Sequence, residues 1–261
     1  PPKSAQLFLR SVQSRAKTDK LDATGLALYG ASCPLAPYPL KSEMQDKLDQ
    51  LLRARKGLSL CVCRLEAQMR EMPYAKETLV PAIKALRFQM SQVDKEIKAL
   101  SCASELNAIQ ELKKVPGVGL IVATTLASRL SGRSFDRADQ FVAYCGLDIR
   151  VHQSGKKKGE SGISKQGEAE LRRLLFLAAR ASLRAKDSPF AAQHARERAK
   201  GLSSTAASCA VARKIARLCW SIVKHGSTYD PERVFKPSSK ITLATAPDSW
   251  DDFGLAKTLD N

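Results

Sequence analysis

"AIQELKKVPGVGLIVATTLASRL", residues 108–130, decides how this chain is read. A helix-compatible run ends in two lysines, a Pro-Gly-Val-Gly step follows, and a second apolar run begins at Leu120. Proline stops the first helix, and glycine supplies the backbone freedom that a tight turn needs. Helix, Pro-Gly-x-Gly turn, helix is the signature of a helix-hairpin-helix. In that motif the N–H groups opening the second helix can hold a nucleic-acid phosphate without reading a base. Gly117 and Gly119 are the turn residues of the candidate site, with Lys113 and Lys114 as its cationic approach. A plain helical corner would carry the same pattern.

Working outward, "DRADQFVAYCGL" (136–147) reads as a short amphipathic helix stopped by Gly146. "EAELRRLLFLAARASLRAK" and "AASCAVARKIARLCWSIVKHG" read as two long helices whose apolar stripes close a core around the turn, Gly226 ending the second. Upstream, Leu48, Arg55, Val62 and Met69 alternate with Leu51, Leu58, Leu65 and Met72 at heptad spacing. A second series runs Leu79, Ile83, Leu86, Met90, Val93, Ile97, Leu100, after a Pro-containing turn. Two such helices predict an antiparallel coiled-coil hairpin serving as a spacer or oligomerisation arm; part of an ordinary helical bundle is the other reading. Residues 1–31 read as a short extended start followed by a helix from near Thr18, and "CPLAPYPL" (33–40) as a linker.

The formal charge of +17 points to nucleic acid or an anionic surface as partner. No apolar run approaches the ~20 residues that span a bilayer, so no membrane role is expected, and the location is read as cytoplasmic. Seven cysteines without metal-ligand spacing predict reduced thiols, most of them small core residues, and no zinc site.

Between the short helix and the first long one lies "RVHQSGKKKGESGISKQG" (150–167), with no helical or strand period, which predicts a mobile basic loop. Lys156, Lys157 and Lys158 raise the local positive potential, which attracts a phosphate and stabilises charge building up on it. Lys165, Arg172 and Arg173 extend the candidate nucleic-acid surface. Ser154, Ser161 and Ser164 are hydroxyls suited to attack a phosphorus centre, and composition does not rank them. His152 is a possible base, Ser164 could cap the following helix, and Tyr144, an alternative nucleophile, falls on an apolar stripe. Asp19 and Asp22, at i and i+3 in "AKTDKLDA", share one helical face. That pair suits a magnesium ion shared with a phosphate, or simply stabilises a helix N-terminus.

Together "KTDKLDA", the hairpin, "VPGVGLIVATTLAS", "FDRADQFVAYCGL", "HQSG" and "ISKQGEAELRRLLFLAA" resemble the one-ten insertion-sequence family of DEDD transposases, relatives of the Piv-type DNA invertases. The resemblance implies an N-terminal RuvC-like, RNase H-type domain whose acidic tetrad binds Mg2+, its last two members falling on Asp19 and Asp22. It also implies a C-terminal transposase domain whose nucleophile is the serine of the S-G step, here Ser154, forming a covalent phosphoserine–DNA intermediate. A structured non-coding guide RNA and a homo-oligomer, dimer or tetramer, are implied as partners beside DNA. In such an assembly the metal site of one chain meets the serine of another.

The expected fold is therefore mainly α. Residues 1–40 are read as the C-terminal remnant of the RuvC-like α/β domain plus linker, 41–104 as the coiled-coil hairpin, 105–236 as the transposase domain and 237–261 as a polar tail. Residues 1–18 contain no Asp or Glu. The rest of the tetrad is accordingly expected upstream, and the chain is expected to be inactive alone. A non-catalytic nucleic-acid-binding module, dimerising through the hairpin, is the alternative function; a junction-resolving nuclease would share the metal but leave the serine without a role.

Overall fold

The structure, a computed structural model, describes residues 2–12, 18–33, 40–103, 108–150, 153–154, 157–158, 162–184 and 188–232. These residues are mainly helical. They fall into two compact units, Pro1–Lys41 and a second that begins at Ser42.

In the first unit α1 spans Pro2–Val12 and α2 spans Asp19–Ser32. The expected extended start is thus corrected to a helix. Pro2 sits at its opening, where a missing N–H is harmless, and Phe8 packs on Tyr29 of α2 with ring centroids 5.3 Å apart. Thr18 caps α2, its hydroxyl accepting from the Leu21 N–H at 3.3 Å. No strand occurs among the described residues of this unit.

The second unit opens with two long helices, α3 (Glu43–Glu71) and α4 (Lys76–Ala103), joined by a 3-10 turn at Pro73–Ala75. A capping box closes the start of α3: Ser42 accepts from the Gln45 N–H while Gln45 accepts from the Ser42 N–H. Ion pairs from Arg55 to Asp94 and from Arg87 to Glu66 show that the helices run antiparallel. Leu48, Val62, Ile83 and Ile97 are buried between the helices and what they pack on, whereas Met72 at the tip is 54% exposed and outside the contact.

The base of this hairpin rests on α6 (Leu120–Ser131), which follows α5 (Ala108–Lys113) across the Pro-Gly turn. Every residue from Ala123 to Ser128 is buried. Short side chains make that close approach possible: Ser101 of α4 meets the Thr124 hydroxyl at 3.1 Å and donates back to the Ile97 carbonyl at 2.6 Å. On α6 pack α8 (Ala169–Ser182) and α10 (Ser204–His225), and α10 in turn carries α7 (Ala138–Tyr144) and α9 (Pro189–Ala199). Phe141, Leu126, Leu171, Leu175, Phe190, Ile215 and Ile222 form the core, each contributing about 1.5–3 kcal/mol relative to exposure. The helix α9 was not anticipated from the sequence; Ser188 and Pro189 supply its start signal.

Gly117 is essential to this packing. Its φ is +86°, and a Cβ there would lie 2.1 Å from the Ala178 carbonyl oxygen of α8. The backbone of the turn touches the backbone of α8, which no side chain permits. Of the seven free cysteines, only Cys145 and Cys219 are buried, while Cys61, Cys63 and Cys102 are exposed, so the expectation that most are core residues is corrected. No helix among the described residues is long and apolar enough to cross a membrane.

Candidate serine loop and nucleic-acid interface

Within the basic loop the described residues form short paired strands. Strand β1 (Ile149–Arg150) pairs antiparallel with β4 (Gly162–Ile163), and inside that neck β2 (Gln153–Ser154) pairs with β3 (Lys157–Lys158). The register sets Ser154 opposite Lys157 and Gln153 opposite Lys158. The expectation of a featureless loop is corrected at these residues. His152, Lys156 and Ser161 lie outside the described residues, as do the linker prolines and the tail after Glu232.

The neck is held from several directions. The Ser164 N–H donates to the Asp148 carbonyl at 2.8 Å, Lys165 N–H to Gly146 at 3.1 Å and Glu168 N–H to Tyr144 at 2.9 Å. Arg172 donates from one Nη to both the Cys145 and Lys165 carbonyls, each at 3.3 Å. Gly167 lies so close that a Cβ would stand 2.3 Å from the Tyr144 carbonyl oxygen. Lys165 adopts φ of 54°, a left-handed conformation costing about 1–2 kcal/mol for a residue with a Cβ, which this network must offset. The reading of Ser164 as a cap of α8 is corrected: Glu168 occupies that position. The Ser164 hydroxyl instead donates to the Asp148 carboxylate and accepts from the Gln166 N–H.

The candidate residues of the Pro-Gly turn differ among themselves. Gly119 is exposed, caps α6 with extended backbone, and has nothing within 4 Å of a would-be Cβ. Lys113 is exposed and bonds to Gln110, while Lys114 pairs with Glu111 at 2.6 Å. Arg173 is drawn to Glu170 at 2.6 Å, and Glu170 also receives Lys56 of α3 at 3.0 Å. Asp19 is exposed and Asp22 half-buried, both in the first turn of α2. Two carboxylates there suit a hard cation shared with water and phosphate, as far as two ligands go. Among the described residues no three His, Cys, Asp or Glu side chains gather into a metal-sized cluster.

A charged network that sequence reasoning missed lies beneath the loop. Asp49 of α3, its side chain sealed from solvent, accepts from Arg129 Nη1 at 2.6 Å and from the Ser128 hydroxyl at 2.8 Å. Arg129 Nε forks onto both oxygens of Glu168 at 3.0 and 3.1 Å. The Tyr144 hydroxyl donates to Glu168 at 2.7 Å, and the Arg133 guanidinium lies over the Tyr144 ring. Burial, followed by the bond to Glu168, pushes the Tyr144 phenol well above its ordinary range. Burial opposes the charge on Arg129, but Glu168 and Asp49 outweigh it and hold the guanidinium above its ordinary value. The available signal was that Arg129 is the sole charged residue of α6. Beside this network a cleft of about 400 Å³ opens between α3, α6 and α8, with Arg53, Lys56 and Arg173 on its walls.

Residues 109–195, from α5 through the serine loop into α9, match the family described as Transposase IS116/IS110/IS902. The chain resembles this transposase family. It is 28% identical over 228 residues to a pilin gene-inverting protein of Moraxella bovis, covering 85% of this chain and 71% of that one. It is 31% identical over 144 residues to the transposase for insertion sequence element IS1328 of Yersinia enterocolitica, covering 54% of this chain and 42% of the relative. A transposase for IS1111A of Coxiella burnetii is 33% identical over 141 residues, 52% of this chain and 38% of the relative. The family resemblance drawn from the motifs therefore holds.

Proposed function

We propose that this chain acts in DNA rearrangement, as part of an insertion-sequence transposase or a related DNA invertase, with Ser154 as the nucleophile. The observation that carries the reading is the position of Ser154: it lies inside the family-matched segment, on a ribbon facing Lys157 in register, at the head of a braced neck. The serine oxygen forms a bond to phosphorus, the phosphodiester bond to one strand breaks, and the serine proton leaves with the released strand hydroxyl. The Lys156–Lys158 run stabilises the negative charge at phosphorus. The Pro116–Gly119 turn, read as a helix-hairpin-helix, binds the backbone through N–H groups at the start of α6, with Lys113 beside it.

Asp19 and Asp22 would hold a magnesium ion together with further ligands, and that ion would supply charge neutralisation at the phosphate. In this reading residues 1–40 belong to a RuvC-like domain and its linker, and the α3–α4 hairpin is a coiled-coil arm that joins protomers. A structured RNA selects the DNA to be joined. The charge of +17 supports nucleic-acid partners.

The test is a nicked suicide DNA substrate with magnesium and co-purified RNA, using protein expressed from its native gene. A covalent protein–DNA adduct is expected, abolished by Ser154→Ala. Salt-sensitive binding without any adduct would instead support a non-catalytic binding module.

A further inference from the structure

The loop that carries Ser154 is tied to the long hairpin through a chain of four side chains. Glu168 stands at the foot of the neck, one residue before α8, yet its carboxylate does not cap that helix. It turns to Arg129 and Tyr144, and Arg129 reaches on to Asp49, eighty residues away on α3. Three separate parts of the second unit are thereby joined: the long hairpin, the buried helix α6 and the neck.

Stability does not account for such an arrangement. Taking Asp49 fully out of water opposes folding, and well-packed apolar residues of similar size commonly serve as well or better than a buried ion pair. What a guanidinium fork does provide is direction. Arg129 can satisfy Asp49 and both oxygens of Glu168 only over a narrow range of relative positions. Because Tyr144 and Glu168 are also joined backbone to backbone, a shift of the carboxylate carries the neck with it.

We propose that Arg129 and Glu168, oriented by Asp49 and Tyr144, are positioning residues that transmit the docking of the α3–α4 hairpin to the base of the Ser154 loop. This rests on Ser154 being the reacting group, but the coupling of hairpin to neck is a separate physical statement with its own measurement. Neither Arg129 nor Glu168 touches the reacting atoms in this scheme. They act through the neck.

Two measurements on the protein from its native gene test this. The first is amide hydrogen exchange at Ser164, Lys165 and Glu168, whose N–H groups close the neck. Asp49→Asn, a near-isosteric change on α3, is expected to speed exchange at these amides while leaving the Val118 amide of the Pro-Gly turn as protected as before. Unchanged exchange at the neck overturns the proposal. The second is the rate of adduct formation at saturating DNA. Asp49→Asn and Glu168→Gln are each expected to slow it about 10- to 100-fold, as misplacement of a reacting group does. DNA affinity should stay within about twofold, the range expected for independent sites. The double variant should be no slower than the slower single one, and Arg129→Lys should recover part of what Arg129→Met loses. Additive slowing in the double variant, or a loss confined to DNA affinity, also overturns the proposal. Persistence of adducts in Ser154→Ala would remove the nucleophile assignment, and the exchange experiment would still decide the coupling.

Discussion

Arg129 and Asp49, eighty residues apart in the chain, meet at 2.6 Å with the aspartate side chain fully buried. The pair joins α6 to the foot of the long hairpin, and its two members are not equivalent. Asp49 has Ser128 as a second partner, while Arg129 also serves Glu168.

Removing the guanidinium therefore takes the cationic partner from a buried carboxylate. Arg129→Met is expected to lose about 3–5 kcal/mol of unfolding free energy in a urea titration. Adding Asp49→Leu to that variant should restore part of the loss, since an apolar pair replaces a buried charge that has lost its guanidinium. A double variant less stable than the single one would contradict this account.

The two turn glycines should separate cleanly. Gly117→Ala must adopt a left-handed backbone and place a methyl against the Ala178 carbonyl, so it is expected to cost about 2–5 kcal/mol. Gly119→Asp meets open space and gains a cap for α6, so stability should hold or rise by a few tenths of a kcal/mol. In the proposed function its carboxylate also stands where a DNA phosphate is bound. Stability unchanged with DNA affinity reduced, by calorimetry and by filter binding, is the expected pattern.

Glu170 carries the pH prediction. Burial works to raise its pKa, but hydrogen bonds from Arg173 and Lys56 more than offset this and hold it below the ordinary value of 4.5. A carboxyl group whose folded pKa is depressed binds its proton more readily when unfolded. Its stabilising contribution is complete above the unfolded pKa and is lost as pH falls through the lower folded one. Melting temperature measured between about pH 3 and pH 7 should therefore fall on the acid side, and Glu170→Gln should flatten that limb. An unchanged acid limb would count against the ion pairs.

Arg55 occupies a seam position of α3 and pairs with Asp94 across the hairpin. Polar residues in such seams fix register while lowering stability. Arg55→Leu is expected to raise the melting temperature, and an unchanged or lower one would count against the seam position.

Much of this architecture is legible locally. The Pro-Gly turn, the cap at Thr18 and the stop at Gly146 each follow from the conformational limits of one or two residues, and the structure places helix ends there. Helix α1 replaces the expected extended start, proline being at home in the first helical turn. The nested ribbon was invisible because strands of two residues are too short to show alternation. The Asp49–Arg129–Glu168 chain left a single trace, a lone arginine in an otherwise uncharged helix. Its partners lie 80 and 39 residues away, a separation that periodicity cannot span.

The position of Asp49 near the start of α3 has a mechanical consequence. From there to the tip the helix runs some 22 residues, about 33 Å at 1.5 Å per residue. The arm is anchored at the buried carboxylate and again where Lys56 meets Glu170, with the fully exposed Tyr74 at its far end. A tilt of about 10° at the base sweeps the tip through about 6 Å over that length. In the proposed coupling, such a displacement is felt at the base, where Asp49 holds Arg129.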